Sequence, residues 1–264
     1  MAFNDILVHI GNSDHCGAVL DLAIGLARQH QAHLTGLYVI THRHYSSQLE
    51  SAHGRAAEAE AVFRAKTAEA GLSAHWLCVD WPVVGEKASK VVNLHAFCKD
   101  MVVVGQTEIP SRHSEVEPDL PETVILGSGC PVLVVPYAGA FQAVGERVMV
   151  AWKTGRESAR AVKDAMPFLR TAREARILAL GPASAGEGAD RVVDHLARHG
   201  IAAERELFSV EEISVGDVLL NQAWEERCDL LVLGGYTRTS RGTVLGPTAR
   251  HILKHMTVPV LMSH

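Results

Sequence analysis

Short, nearly unbroken runs of Val, Ile and Leu alternate along the chain with longer amphipathic stretches. In the first half the runs fall at 5–10, 33–40, 74–80, 100–105 and 131–136. In the second they fall at 147–151, 175–180, 202–208, 229–233 and 259–262. Apolar runs without polar alternation are what parallel strands need when both faces of the sheet are covered. The amphipathic stretches predict helices at about 14–30, 46–70 and 84–97, and again at about 156–169, 187–199, 212–226 and 248–256. Ala18, Leu22 and Leu26 set the helical spacing of the first, which Ser13 or Asp14 can cap. Gly71 and Gly200 each stand where a helix C-cap glycine belongs. Strand–helix alternation of this kind predicts parallel sheets with right-handed crossovers and helices on both faces.

The pattern also repeats. Asp100-Met-Val-Val-Val-Gly105 returns as Asp229-Leu-Leu-Val-Leu-Gly234, and Pro131-Val-Leu-Val-Val135 returns as Pro259-Val-Leu-Met262. Asp5-Ile-Leu-Val-His-Ile10 corresponds to Arg147-Val-Met-Val-Ala151. The two offsets, 129 and 128 residues, are too long for a solenoid unit and fit a duplicated domain. The expected architecture is two tandem α/β domains, 1–140 and 141–264, joined by the small-residue linker 137–146. Each should be a Rossmann-like, doubly wound, five-stranded parallel sheet of order 3-2-1-4-5. The last strand of each half would lie at a sheet edge, so the two domains are expected to pair through 131–136 and 259–262. Any homodimer would then use another surface.

Composition narrows the possibilities. With 47% hydrophobic and 21% charged residues, the chain has the make-up of a well-buried globular protein rather than a disordered one. No run of 18 apolar residues predicts a membrane span, and Met1–Ile10 lacks the basic start of a signal peptide. Five cysteines without a Cys-x-x-Cys pair point to reduced thiols and a cytoplasmic location. A net charge of −5 offers nucleic acid little attraction. That charge is uneven: residues 1–140 carry 9 Lys/Arg against 15 Asp/Glu, and residues 141–264 carry 16 against 15. An anion is better received by the second half.

Ligands of open α/β sheets bind beyond the carboxyl ends of the strands. There the second half carries Gly234-Gly-Tyr-Thr-Arg-Thr-Ser-Arg-Gly-Thr-Val-Leu-Gly-Pro-Thr248, a glycine-rich segment leading into a helix. Such a segment can offer backbone N–H groups to a phosphate, with Arg238, Arg241 and Arg250 adding charge. On this segment, the duplicated Asp-x-Val-Val-Val-Gly strand and the closing Pro-Val-Leu-Val-Val strand, the chain resembles the universal stress protein family in its tandem two-domain form.

The resemblance implies a stress-response role without catalysis, an unidentified protein partner, and ATP or AMP as the ligand of those members that bind one. ATP-binding members carry Gly-x2-Gly-x9-Gly-Ser/Thr after the fourth strand, and an Asp at the end of the first. Without a gap that motif falls on Gly234, Thr237, Pro247 and Thr248; a loop one residue shorter makes Gly246 the third glycine. Thr237 resists a left-handed backbone, Pro247 has no N–H, and Lys153 stands where the Asp is expected. The nucleotide-binding candidates are therefore Gly234, Gly235, Thr237, Arg238, Gly246, Thr248 and Lys153, and binding should be weak. The first half departs further, with five acids and three prolines over 106–122 and Gly11 at the Asp position. Gly127-Ser128 reads as a turn.

Other groupings carry less. His195/His199 and His251/His255 have metal-compatible i, i+4 spacing but lack an obvious third ligand, so no metal site is predicted. His42-Arg-His44 could line a pocket, and Cys16, Trp81-Pro82 and Trp224 read as packing residues. Neither a Gly-x-Ser-x-Gly elbow nor a Walker loop is present. Two alternatives to a stress-response regulator stay open: a ligand-free interaction module, and a weak ATP hydrolase or nucleotidyl transferase.

Overall fold

The computed structural model describes residues 2–11, 15–41, 49–81, 86–107, 117–141, 143–180, 184–208, 214–239 and 242–264. The chain divides into two compact units, Ala2–Gln142 and Ala143–His264.

The first unit runs β1 (Asp5–His9), α1 (Cys16–His30), β2 (His33–Thr41), α2 (Leu49–Glu69), β3 (Ala74–Trp81), α3 (Ala88–Ala96), β4 (Met101–Gly105), α4 (Leu120–Gly127) and β5 (Val132–Val135). Its strands are parallel in the order β3-β2-β1-β4-β5. The winding reverses at β1, whose neighbours β2 and β4 come from opposite directions, as the doubly wound expectation required. Ile6, Leu7 and Val8 on β1 and Met101–Val104 on β4 are fully buried, which is why these segments carry no polar alternation.

The second unit runs β6 (Arg147–Trp152), α5 (Arg156–Asp164), α6 (Met166–Leu169), β7 (Glu174–Leu180), α7 (Ser184–Arg198), β8 (Glu204–Phe208), α8 (Val215–Glu225), β9 (Leu230–Gly234), β10 (Tyr236–Thr239), β11 (Gly242–Leu245), α9 (Pro247–His255) and β12 (Val260–Ser263). Its parallel strands follow the same plan, β12-β9-β6-β7-β8, with β6 at the reversal. β10 and β11 form a separate antiparallel pair.

The repeated aspartates are structural. Asp100 begins the approach to β4 and accepts the N–H groups of Asn4 (2.6 Å) and Asp5 (3.0 Å) at the start of β1. Asp229 does the same for β6, accepting from Gly145 (2.9 Å), Glu146 (3.0 Å) and Arg147 (3.1 Å). Gly71 (φ 65°) and Gly200 (φ 77°) take the left-handed backbone their positions predicted.

Two expectations need correction. The helix expected over 156–169 is two pieces, because Pro167 cannot continue α5 and instead sits in the first turn of α6. Gly127-Ser128 is the end of a helix, α4, whose start at Leu120-Pro121 was hidden in the acidic, proline-rich stretch. The N-cap of α1 is His15, which makes no side-chain cap hydrogen bond; Ser13 and Asp14 lie outside the described residues.

Candidate functional site

In both units the strands β1, β4 and β5, and likewise β6, β9 and β12, run parallel and end along one edge of the sheet, and the two units furnish that edge differently. In the second unit β6 ends at Trp152 and the chain turns through Lys153, Thr154 and Gly155 into α5. The Lys153 N–H donates to the buried Ser158 hydroxyl at 3.3 Å, which ties the turn to the first coil of the helix, and the Lys153 side chain is exposed. This helix start lies directly on the end of β9. A Cβ on Gly234 would come within 2.5 Å of the Glu157 carbonyl carbon and 2.7 Å of its oxygen. Gly234 is thus a glycine because α5 occupies its side-chain space, a packing role that needs no phosphate.

The glycine-rich segment beyond it is not the open loop that its composition suggested. Tyr236, Thr237, Arg238 and Thr239 pair with Leu245, Val244, Thr243 and Gly242, so the segment folds back as the β10–β11 hairpin. Thr237 and Arg238, two of the candidate ligand residues, are backbone members of that pairing, and Arg241 lies outside the described residues. Alternating Tyr-Thr-Arg-Thr and Gly-Thr-Val-Leu are β-prone, β-branched sequences around a short tip, a hairpin signal outweighed in the sequence by the glycines. The Gly235 N–H reaches the Ser263 carbonyl (3.4 Å), and the Gly246 N–H donates to the Gly235 carbonyl (3.0 Å). Gly246 has φ −67° and ψ 157°, an extended backbone open to any residue.

What stays open is the start of α9. Gly246 is its N-cap without a side-chain cap, Pro247 fills the first position, and the first turn contains no acid. Pro247 removes one donor, leaving the N–H groups of Thr248 and Ala249 at the positive end of the helix dipole. Nearby on this edge, the Arg156 guanidinium lies over the Tyr236 ring (5.6 Å to the centroid) and contacts Glu157 at 3.2 Å. The Tyr236 ring in turn meets His264 at 4.4 Å. The donors therefore suit one phosphate-sized anion. They do not suit the extended wrap of a triphosphate, because the hairpin pairs part of the backbone that such a wrap requires.

The first unit closes the corresponding region with its own carboxylates. Glu117 is 3% exposed and turns back to accept the Ala88 and Ser89 N–H groups at the start of α3, the second at 3.4 Å. Lys87 pairs with Asp119, the N-cap of α4, and Glu122 lies in that helix's first turn. Gln106 accepts the Tyr137 N–H at 3.1 Å, and the Thr107 hydroxyl donates to the Pro118 carbonyl at 2.7 Å. Gly105, the counterpart of Gly234, has more room: a Cβ there would meet only the Val19 methyl, at 3.3 Å. On β1, the buried His9 imidazole is pushed down to about 4 by its burial.

One contact escaped the sequence. The His251 ring packs where Gly216 lacks a Cβ, which would sit 2.6 Å from the ring, and His251 Nε2 lies 2.7 Å from Asp217 Oδ1. The pair clasps α9 to α8, and its signal was the glycine at the start of α8. The rings of His251 and His255 are 4.6 Å apart and those of His195 and His199 are 4.8 Å apart. Among the described residues no group of three His, Cys, Asp or Glu side chains could hold a metal. His42-Arg-His44 lies outside the described residues.

The model of the universal stress protein family matches residues 2–136 and again 146–264. A universal stress protein from Archaeoglobus fulgidus superimposes with a TM-score of 0.79 at 17% identity, over 100% of this chain and 99% of its own. A putative universal stress protein from Pseudomonas aeruginosa gives 0.62 at 16% identity, over 99% and 93%. A family member from Arabidopsis thaliana, solved with AMP bound, covers 50% of this chain and 91% of its own, at 16% identity and a TM-score of 0.34. No curated protein matches the chain in sequence.

Proposed function

The chain belongs to the universal stress protein family, and from that premise we propose that it serves a regulatory or protective role in the stress response, without catalysis, with a nucleotide held weakly by its second unit alone. One contrast carries the ligand assignment. Neither helix start has a side-chain cap, but α9 begins without an acid, whereas α4, at the same point of the first unit, begins with Asp119 and Glu122. An anion gains from the first kind of helix start and is repelled by the second. The Thr248 and Ala249 N–H groups would hold a phosphate, and the Lys153 and Arg156 side chains would add charge. Lys153 cannot accept a hydrogen bond from a ribose hydroxyl, so the sugar is gripped poorly. The proposal also places the protein in the cytoplasm, a reading supported by five free cysteines. Among the described residues no helix is long and apolar enough to cross a membrane.

Calorimetry with AMP and with ATP tests the assignment. One site per chain is expected, with a dissociation constant of roughly tens of micromolar or weaker. Thr248→Glu, which puts a carboxylate into the first turn of α9, should remove it, and Glu122→Gln should leave it unchanged. Two equivalent sites, or one indifferent to Thr248→Glu, would overturn the assignment; steady phosphate release from ATP would overturn the absence of catalysis. The β10–β11 pairing favours a second reading, a scaffold that binds no nucleotide, and a complete absence of heat would select it.

A further inference from the structure

Two of the outer strands, β3 in the first unit and β8 in the second, are defended unequally. β8 has five residues, Glu204-Arg-Glu-Leu-Phe208, three of them charged. Charge along an edge is the usual guard against pairing with a second chain. β3 has eight residues, Ala74-His-Trp-Leu-Cys-Val-Asp-Trp81, with Asp80 its one carboxylate and an uncharged centre, Trp76-Leu-Cys-Val79. All eight are in register with β2, and among the described residues no strand lies on the other side.

The direction of its backbone groups follows from one hydrogen bond. The Leu34 N–H of β2 donates to the Ser73 carbonyl at 3.0 Å. Backbone groups alternate sides along a strand, so His75, Leu77 and Val79 face β2 while Trp76 and Cys78 turn theirs outward. The Cys78 side chain is exposed as well.

We propose that β3 is a homodimerisation edge, on which a second copy of this chain pairs antiparallel about a twofold axis at Cys78. An antiparallel edge is complementary to itself, since a twofold normal to the sheet brings each outward N–H to an outward carbonyl of its mate. With the axis at Cys78, the two Cys78 residues exchange both hydrogen bonds, and Leu77 faces Val79 of the second copy. A twofold contact uses the same edge on both copies, so it closes as a dimer instead of growing into a fibre. Paired residues of this type have α-carbons about 5.5 Å apart, within the range that a disulfide spans. A mild oxidant that takes up the two electrons and two protons of the thiols should therefore link Cys78 to Cys78.

Analytical ultracentrifugation of the full chain, with and without oxidation by oxidised glutathione, tests the assignment. The wild type should sediment at twice the chain mass and yield a covalent dimer on oxidation. Cys78→Ser should keep the dimer and lose the covalent link, whereas Cys98→Ser should keep both. Leu77→Lys should halve the sedimenting mass. Cys78→Pro removes an N–H that faces away from β2, so it should also halve the mass while circular dichroism shows the fold retained. A monomeric wild type, a dimer indifferent to Cys78→Pro, or a dimer that fails to link through Cys78 each overturns the proposal.

Discussion

The two units share a strand order and a pair of structural aspartates, yet their carboxyl ends have been finished by different means. In the second, the first helix sits on the strand beside it so closely that only glycine fits at 234, and the long segment after β9 zips into a hairpin. In the first, the helix stands off from Gly105, and a buried glutamate straps the segment before α4 onto α3. Similar sheets can thus be closed by backbone packing or by charge. The residues that most resemble a ligand motif, Gly234 among them, are explained first by what they touch in their own unit.

The largest test of this contrast is a pair of glycine substitutions. Gly234→Val should unfold the second unit, because the new side chain meets Glu157 backbone atoms that cannot turn aside. Gly105→Ala meets one methyl group and should cost about 1 kcal/mol or less in a urea titration. Equal losses at the two positions would break the comparison. It follows that lost ligand binding in Gly234→Val would report unfolding, which is why Thr248→Glu is the sharper probe.

A smaller effect comes from acid. His9 is neutral when folded and pushed down to about 4, against an ordinary value of 6.5. Its contribution to stability is fully present above pH 6.5 and is lost as the pH falls toward 4, a total of about 3 kcal/mol. The second unit has Ala151 at the matching position, so the first unit should unfold first on acidification. Nuclear magnetic resonance of the His9 ring, together with His9→Leu flattening the stability profile, checks this. A ring that protonates near pH 6.5 would refute it.

The smallest effect separates the aspartates. Asp100→Ala leaves two strand N–H groups without their partner and Asp229→Ala leaves three. Water can replace the lost acceptor at these exposed or part-buried groups, so each bond contributes about 0.5–1.5 kcal/mol and the second loss should exceed the first by about one such increment. Chemical denaturation of the two variants measures the difference, and equal losses would show that the third hydrogen bond is idle.

Most of the fold could be read from the chain, because strands buried on both faces leave unbroken apolar runs and Gly71 and Gly200 mark helix ends. The hairpin could not be, since Gly234, Gly235, Gly242 and Gly246 look alike in sequence whether they serve close packing, a strand pair or a ligand. α4 was concealed for a related reason: Pro121 and Glu122 suit a helix's first turn as well as a loop. The strap at Glu117 was out of reach, because its partners at Ala88 and Ser89 are backbone groups that leave no trace in residue identity.

The hairpin has a consequence for timing as well as for affinity. Any ligand that needs the backbone of residues 236–239 or 242–245 must wait for four paired positions to come apart. Its apparent affinity is then the intrinsic one multiplied by the fraction of molecules already open, and its association slows with that fraction. The β10–β11 pair would behave as a latch: a mutation that loosens the pairing without touching a ligand should raise both the affinity and the on-rate for a bulky anion.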